Sequence, residues 1–291
     1  MIDFDNCLRY RMRLVFGVLL IAACSSGTLP DENLSEQDPT ITVESIAKAS
    51  IIDDQSSTEK VRAVVDWTHG YLDWTDNDYV ERTVNQVLQR GGGTCYEQAV
   101  VVEAVLKHAG VNTRQVREIN IQPASEQRQR DAEALMADGG DAFSVFGRRH
   151  NDHVWIEYWN EETSEWTPAD PTLNLIGYDE WVRARMGYEG RPVHEIIPSR
   201  DMLVPIAVFA VDQDAKAQLK NRTERYLIDG FAGYMPAVVR QPEWTQWTNS
   251  VTEFAEHAHA AFAGEYNLHQ DTASIDRLAE VYEALDPLKK R

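Results

Sequence analysis

Apolar positions recur at helical spacing behind Ser56. Val61, Val64, Val65, Thr68 and Leu72 share one face, and Ser56-x-x-Glu59 is a capping box, so a helix is predicted to begin there. A second, shorter helix is predicted from Thr83 to about Gln89. It stops at Gly91-Gly92-Gly93, a run suited to main chain that must approach a ligand. Thr94 with Glu97 forms another capping box, which sets Cys95 at the first helical position. That helix, about 95–109, is apolar on most sides (Ala99, Val101, Val102, Val105, Leu106). It reads as a buried central helix closed by Gly110.

A strand is expected over 114–122. The polar stretch 123–150 is read as a surface insertion rather than a lid, with a short helix near 125–137. Residues 153–159, HVWIEYW, alternate: His153, Trp155, Glu157 and Trp159 point one way, and Val154, Ile156 and Tyr158 the other. Asn160 to Ser164 reads as a turn, and Trp166 to Asp170 as a returning strand ended by Pro171. A hairpin closing around 161–162 sets His153 directly opposite Asp170, and a register shift of two leaves them diagonal neighbours within reach. Trp155, Trp159 and Trp166 are read as cross-strand packing. Beyond residue 175 a short apolar run at 203–211 precedes helix-like stretches at about 213–229, 243–263 and 271–286.

Composition narrows the picture. The 291 residues carry 28 Lys+Arg and 47 Asp+Glu, a formal net charge of −19, with 43% hydrophobic residues. That apolar share supports a core, and the acidic balance argues against nucleic acid as a partner, because phosphate binding needs clustered cations. Three cysteines are too few for a disulfide framework or a four-thiolate zinc site. His194-Glu195 lacks the second histidine of a zinc-protease helix, and His257 and His259 lie two apart on a helix and diverge. No nucleotide phosphate loop or G-x-S-x-G nucleophile motif is present either, so no cofactor and no metal are expected.

The N-terminus bears on compartment. Residues 14–23, LVFGVLLIAA, follow Arg9, Arg11 and Arg13 and are shorter than the roughly 20 residues a membrane-spanning helix needs. They end in Ile21-Ala22-Ala23-Cys24, which resembles the bacterial lipobox, so residues 1–23 are expected to be a lipoprotein signal peptide and Cys24 the lipidated residue. Asp3 and Asp5 are unusual in such a leader, and Met12 is the expected true start. Residues 24–50 are a tether and leading helix. Ser25 after the cysteine favours the periplasmic face of the outer membrane if the source has two membranes. With Cys7 removed and Cys24 lipidated, Cys95 is left as the chain's one thiol.

Its position matters because unpaired N–H groups at a helix N-terminus favour a thiolate. A histidine facing a thiol can take its proton and later deliver it to a leaving amine, and a carboxylate behind the histidine fixes the ring's tautomer. Cys95, His153 and Asp170 supply these three parts.

These residues sit in segments that resemble a known family. GGGTCYEQAVVVEAVLKHAGVNTRQV is similar to the nucleophile segment of the transglutaminase-like superfamily, the papain-related Cys-His-Asp proteins. TVNQVLQRG resembles the short helix before the family's cysteine, and NDHVWIEYW followed by EWTPADPT resembles its histidine and aspartate strands. The resemblance spans roughly 57–173. It implies an α+β domain at 51–175, with the cysteine helix packed on an antiparallel sheet, followed by a helical C-terminal region at 176–291 that it does not cover. It further implies a peptide or protein substrate and attack by Cys95 on an amide carbonyl. The Cys95 backbone N–H would be one oxyanion donor and Gln89 or Trp74 the second. Hydrolase and acyltransferase outcomes both stay open, as does a catalytically silent binding module.

Overall fold

The first four helices each begin on a reciprocal cap between side chain and backbone. They are α1 (Val43–Ser50, capped by Thr42), α2 (Ser57–Tyr71, by Ser56), α3 (Val84–Arg90, by Thr83) and α4 (Cys95–His108, by Thr94). Each cap satisfies backbone donors that the helix itself leaves orphaned, a gain of about 1 kcal/mol. The computed structural model describes residues 41–52, 54–75, 78, 80–121, 150–185, 204–211, 219–262, 265–266 and 268–285. The signal, lipobox and tether up to residue 40, the expected helix at 125–137, and His194 lie outside these residues.

Thr40–Arg291 make one compact unit. Its centre is an antiparallel sheet in the order β6-β5-β4-β3-β7-β8. In chain order these are β3 (Thr113–Ile121), β4 (His150–Asn160), β5 (Glu165–Asp170), β6 (Leu175–Ile176), β7 (Val204–Val211) and β8 (Leu219–Asn221). Two short strands, β1 (Asp73–Trp74) and β2 (Gly92–Gly93), pair in parallel beside α4.

The alternation in β4 divides two cores. Val154, Ile156 and Tyr158 join α1–α4 in one, where α4 contributes Ala99, Val101, Val102, Val105 and Leu106 with no exposed surface. Burial of each such aliphatic side chain stabilises the fold by about 1.5–3 kcal/mol. Trp155 belongs to the other core, with β7 and the C-terminal helices. A slip of one residue would turn His153 and Glu157 into the apolar core beneath α4 and break their pairings, so the register of β4 is strongly specified.

The region beyond residue 175 is less uniformly helical than its periodicity suggests. The apolar run near 203–211 is a strand, β7, buried on both faces and inserted beside β3. Leu219–Asn221, expected within a helix, is instead the edge strand β8, after which Thr223 bonds both the N–H and the carbonyl of Val208. The helices are α5 (Tyr178–Arg185), the wide π-turned α6 (Glu224–Gly230), α7 (Phe231–Tyr234), α8 (Pro236–Val239), α9 (Trp244–Phe262) and, after a short 3₁₀ turn, α10 (Thr272–Leu285). The boundary near 175 therefore marks where the sequence resemblance stops and is not a break in the sheet.

One polar knot ties this region to the sheet. Glu157 is fully buried on β4. Its Oε2 accepts from Arg114 Nε (2.8 Å) and Nη2 (2.5 Å), and its Oε1 accepts from Arg222 Nε (3.1 Å) and Nη2 (2.8 Å) and from the Tyr226 hydroxyl (2.9 Å). Burial, and then the Glu157 charge, push the Tyr178 hydroxyl beside it up to about 12 and that of Tyr226 well above the ordinary tyrosine range. Both therefore stay protonated at any physiological pH. Glu157→Ala leaves two guanidinium groups without their carboxylate and is expected to destabilise the protein by about 3–5 kcal/mol, read from urea unfolding. A cost under about 1 kcal/mol would show the knot to behave like an exposed ion pair.

Candidate active site

The cysteine is presented by a glycine turn and a cap. Gly91 adopts the left-handed conformation (φ +68°) as the C-cap of α3, and Gly92 and Gly93 run beside β1. A β-carbon on Gly92 would stand 2.9 Å from the Asp73 carbonyl oxygen, and one on Gly93 would stand 2.9 Å from Glu97 Cβ. The triple glycine thus admits neighbouring protein, where the sequence suggested room for a ligand. Thr94 then caps α4, and Cys95 is its first residue, half-buried against the core of the first four helices.

Glu97 completes this cap. Its Oε2 accepts from the Thr94 N–H (2.9 Å), and its Oε1 accepts from Arg82 Nη1 (3.1 Å). Arg82 in turn donates to Asp78 through both guanidinium arms. The segment around 78–82 is thereby tied to the cysteine end of α4. Nothing in the local sequence pattern marked this tether, because its partners are single charges in an irregular stretch.

His153 and Asp170 meet, though not by the expected register. Asn160 pairs with Glu165, so the hairpin loop takes in 161–164 and Ile156 faces Ala169. Asn160 Oδ1 holds this wider loop by accepting from the Glu162 (3.0 Å) and Thr163 (3.4 Å) N–H groups, and Ser164 closes it at φ +54°. The shift of two sets Asp170 diagonal to His153 rather than opposite it, and the side chains still reach. His153 Nε2 lies 2.6 Å from Asp170 Oδ2, with Asp170 fully buried and His153 nearly so. Asp170 Oδ1 accepts from the Thr172 (3.0 Å) and Leu173 (3.2 Å) N–H groups, which orients the carboxylate independently of the histidine. His69 of α2 holds the same turn, its Nδ1 lying 3.2 Å from the Pro171 carbonyl oxygen.

A carboxylate accepts and does not donate, so His153 carries its hydrogen on Nε2 and presents Nδ1 as the basic nitrogen. The two halves of the site are linked through β3. Tyr96, next to Cys95, lies under the Arg117 guanidinium at 5.3 Å, and Arg117 pairs across the strands with Val154, next to His153. Buried Glu118 pairs directly with His153 and accepts from Asn120 Nδ2 (3.2 Å); it was not singled out from sequence.

The oxyanion candidates differ in placement. Gln89 is exposed on α3, before the glycine turn. Trp74 is paired in register with Gly93, two residues before Cys95, and is 52% exposed. Trp159 and Trp166 pack edge to face across the hairpin (5.6 Å), and Trp155 is buried, in keeping with packing roles. His257 bonds Asp271 (2.9 Å) and His259 packs on Phe209, so the two diverge. Among the described residues, no group of side chains is arranged to hold a metal, and no helix is long and apolar enough to cross a membrane.

Residues 44–171 match the family model described as the transglutaminase-like superfamily. No curated protein matches the chain. Among solved structures, a candidate protease from Parabacteroides distasonis is similar at 14% identity and a TM-score of 0.29, over 45% of this chain and 26% of that one. Rad4–Rad23 bound to a 6-4 photoproduct lesion is similar at 13% identity and a TM-score of 0.33, over 79% of this chain and 46% of that one. Rad4–Rad23 crosslinked to undamaged DNA gives 13%, 0.34, 86% and 48%. The chain spans less than half the length of each of these three, and similarities of this size carry no inference about activity or partner.

The Asp78–Arg82 pair makes a pH prediction. Hydrogen bonding to Arg82 lowers the Asp78 carboxyl from 3.8 to about 2. A depressed folded-state value favours the fold above the unfolded value and loses that advantage as pH falls towards the folded one. Asp78→Asn is therefore expected to be less stable than the wild type near neutrality, with the difference shrinking between about pH 4 and pH 2, as followed by thermal unfolding. A difference that stays constant over that range would contradict the pairing.

Proposed function

We propose that this chain, whose residues 44–171 belong to the transglutaminase-like superfamily, is a lipid-anchored cell-envelope enzyme that transfers acyl groups from peptide amides through a Cys95 thioester. The observation that supports the reading is the buried 2.6 Å bond between His153 and Asp170, on the sheet against which α4, headed by Cys95, is packed.

In the proposed sequence His153 Nδ1 takes the thiol proton and the Cys95 sulfur attacks the amide carbon. The tetrahedral oxyanion is held by the Cys95 backbone N–H and a second donor. Trp74 is better placed for that second role than Gln89, because its strand lies beside the cysteine turn. The carbon–nitrogen bond then breaks as His153 returns the proton to the departing amine, leaving the acyl group on sulfur. Attack by water, or by a second amine, with His153 accepting the nucleophile's proton, frees the acyl group and restores the thiol. Water makes the protein a peptidase or amidase, and an amine makes it a cross-linking transferase. Asp170 stabilises the ring while it is charged. Cys24 is proposed to carry the lipid, which keeps the domain at a membrane surface within reach of envelope proteins.

Iodoacetamide labelling of Cys95 tests the pairing without knowledge of the substrate. The wild type is expected to react fast near neutral pH, and His153→Ala to slow the reaction by about a hundredfold, the usual scale of a lost general base. A rate equal to that of an ordinary thiol and independent of His153 would leave a binding module on an inherited scaffold.

A further inference from the structure

His153 is held from two directions, and only Asp170 belongs to the proposed chemistry. On the ring's other neighbourhood the Trp155 indole stacks at 5.6 Å between centroids and 30° between planes. Trp155 is fully buried, and its Nε1–H donates to the hydroxyl of Tyr226 (3.1 Å), which donates in turn to Glu157 Oε1 (2.9 Å). Tyr226 is also fully buried, edge-on to Trp155 (5.4 Å) and to Trp181 (4.7 Å). Arg222, on the turn before α6, and Arg114, on β3, hold Glu157 in place. The run from Glu157 through Tyr226 and Trp155 to His153 therefore has a fixed donor direction at each hydrogen bond and ends on a packed ring.

We propose that Tyr226 and Trp155 are positioning residues for the His153 imidazole, so that the segment beyond the family match, through α6, forms the back wall of the active site. The proposal rests on the reading of His153 as proton carrier for its catalytic consequence, although the positioning itself does not. Two features favour it over plain core packing. The Trp155 plane is tied to an ionic knot and not merely to apolar neighbours, which resists its rotation. The indole is also the stacking neighbour of His153 on the ring's own strand, two residues away on the same face, so any tilt of Trp155 tilts the surface against which the imidazole is aligned with Asp170.

Removing the Tyr226 hydroxyl deprives the Trp155 N–H of its partner while leaving an aromatic ring in place. In Tyr226→Phe the His153 Nε2 proton shared with Asp170, followed by NMR in the full chain, is expected to exchange with solvent about tenfold faster, the scale of one lost buried hydrogen bond. Cys95 alkylation is expected to slow by a similar factor, with its pH profile shifted. Tyr178→Phe serves as the control: it removes another hydroxyl donor to Glu157 Oε1 (3.3 Å) but leaves the Trp155–Tyr226 hydrogen bond in place, and is expected to leave both readings unchanged. Equal acceleration in the two variants, or no change in Tyr226→Phe, would overturn the proposal. If Tyr226→Phe does not fold, Trp155→Phe removes the donor and keeps a ring, and must show the same faster exchange for the proposal to stand. Faster proton exchange in a protein whose wild-type alkylation ignores His153 would uphold the positioning and defeat the enzymatic reading, so the two failures are distinguishable.

Discussion

A carboxylate with no access to water, Glu157, is the constraint around which the molecule closes. A buried charge is costly unless it is paired and its remaining lone pairs are filled, and here two arginines and two tyrosine hydroxyls do both. Satisfying it requires β3, β4, and the turn into α6 to converge on one point. Apolar residues of similar volume could fill the same space at comparable stability. They would not impose the directions that the knot imposes on Tyr226 and Trp155, and it is direction that the proposed role of His153 needs.

The site is built on the opposite logic at its other half. Cys95 is placed by local chemistry: a left-handed glycine, two glycines that let β2 lie against β1 and Glu97, and a threonine cap. His153 is placed by non-local chemistry, on a strand buried on both faces. Proton transfer requires the two halves to meet within a fraction of an ångström, and the shared element is the β3–β4 pair, with α4 packed over one face and the C-terminal helices over the other.

That division explains which parts were readable in the sequence. The capping boxes at Ser56 and Thr94, the α4 helix and the β4 alternation depend on residues a few positions apart, and each formed close to where the pattern places it. The hairpin register missed by two because Asn160 hydrogen-bonds into the loop and widens it, a side-chain effect that alternation cannot reveal. β7 carries no alternation because both its faces are buried, and β8 was submerged in a helix-like pattern. The Glu157 knot joins residues from three distant segments, and no spacing rule connects Arg114, Glu157 and Arg222. The proximity of Trp74 to the cysteine turn likewise depends on a parallel pairing of only two residues.

The most direct measurement of the central claim is acylation by a p-nitrophenyl ester, which reports a competent thiol–imidazole pair whatever the natural substrate. Wild-type protein is predicted to release one equivalent of nitrophenolate in a rapid burst and to carry the acyl group on Cys95 by peptide mass mapping. Both signals should be lost in Cys95→Ser, and the burst strongly slowed in Asp170→Asn. Slow acylation spread over surface lysines, with no burst and no dependence on Asp170, would contradict a Cys95–His153–Asp170 acyl-transfer centre.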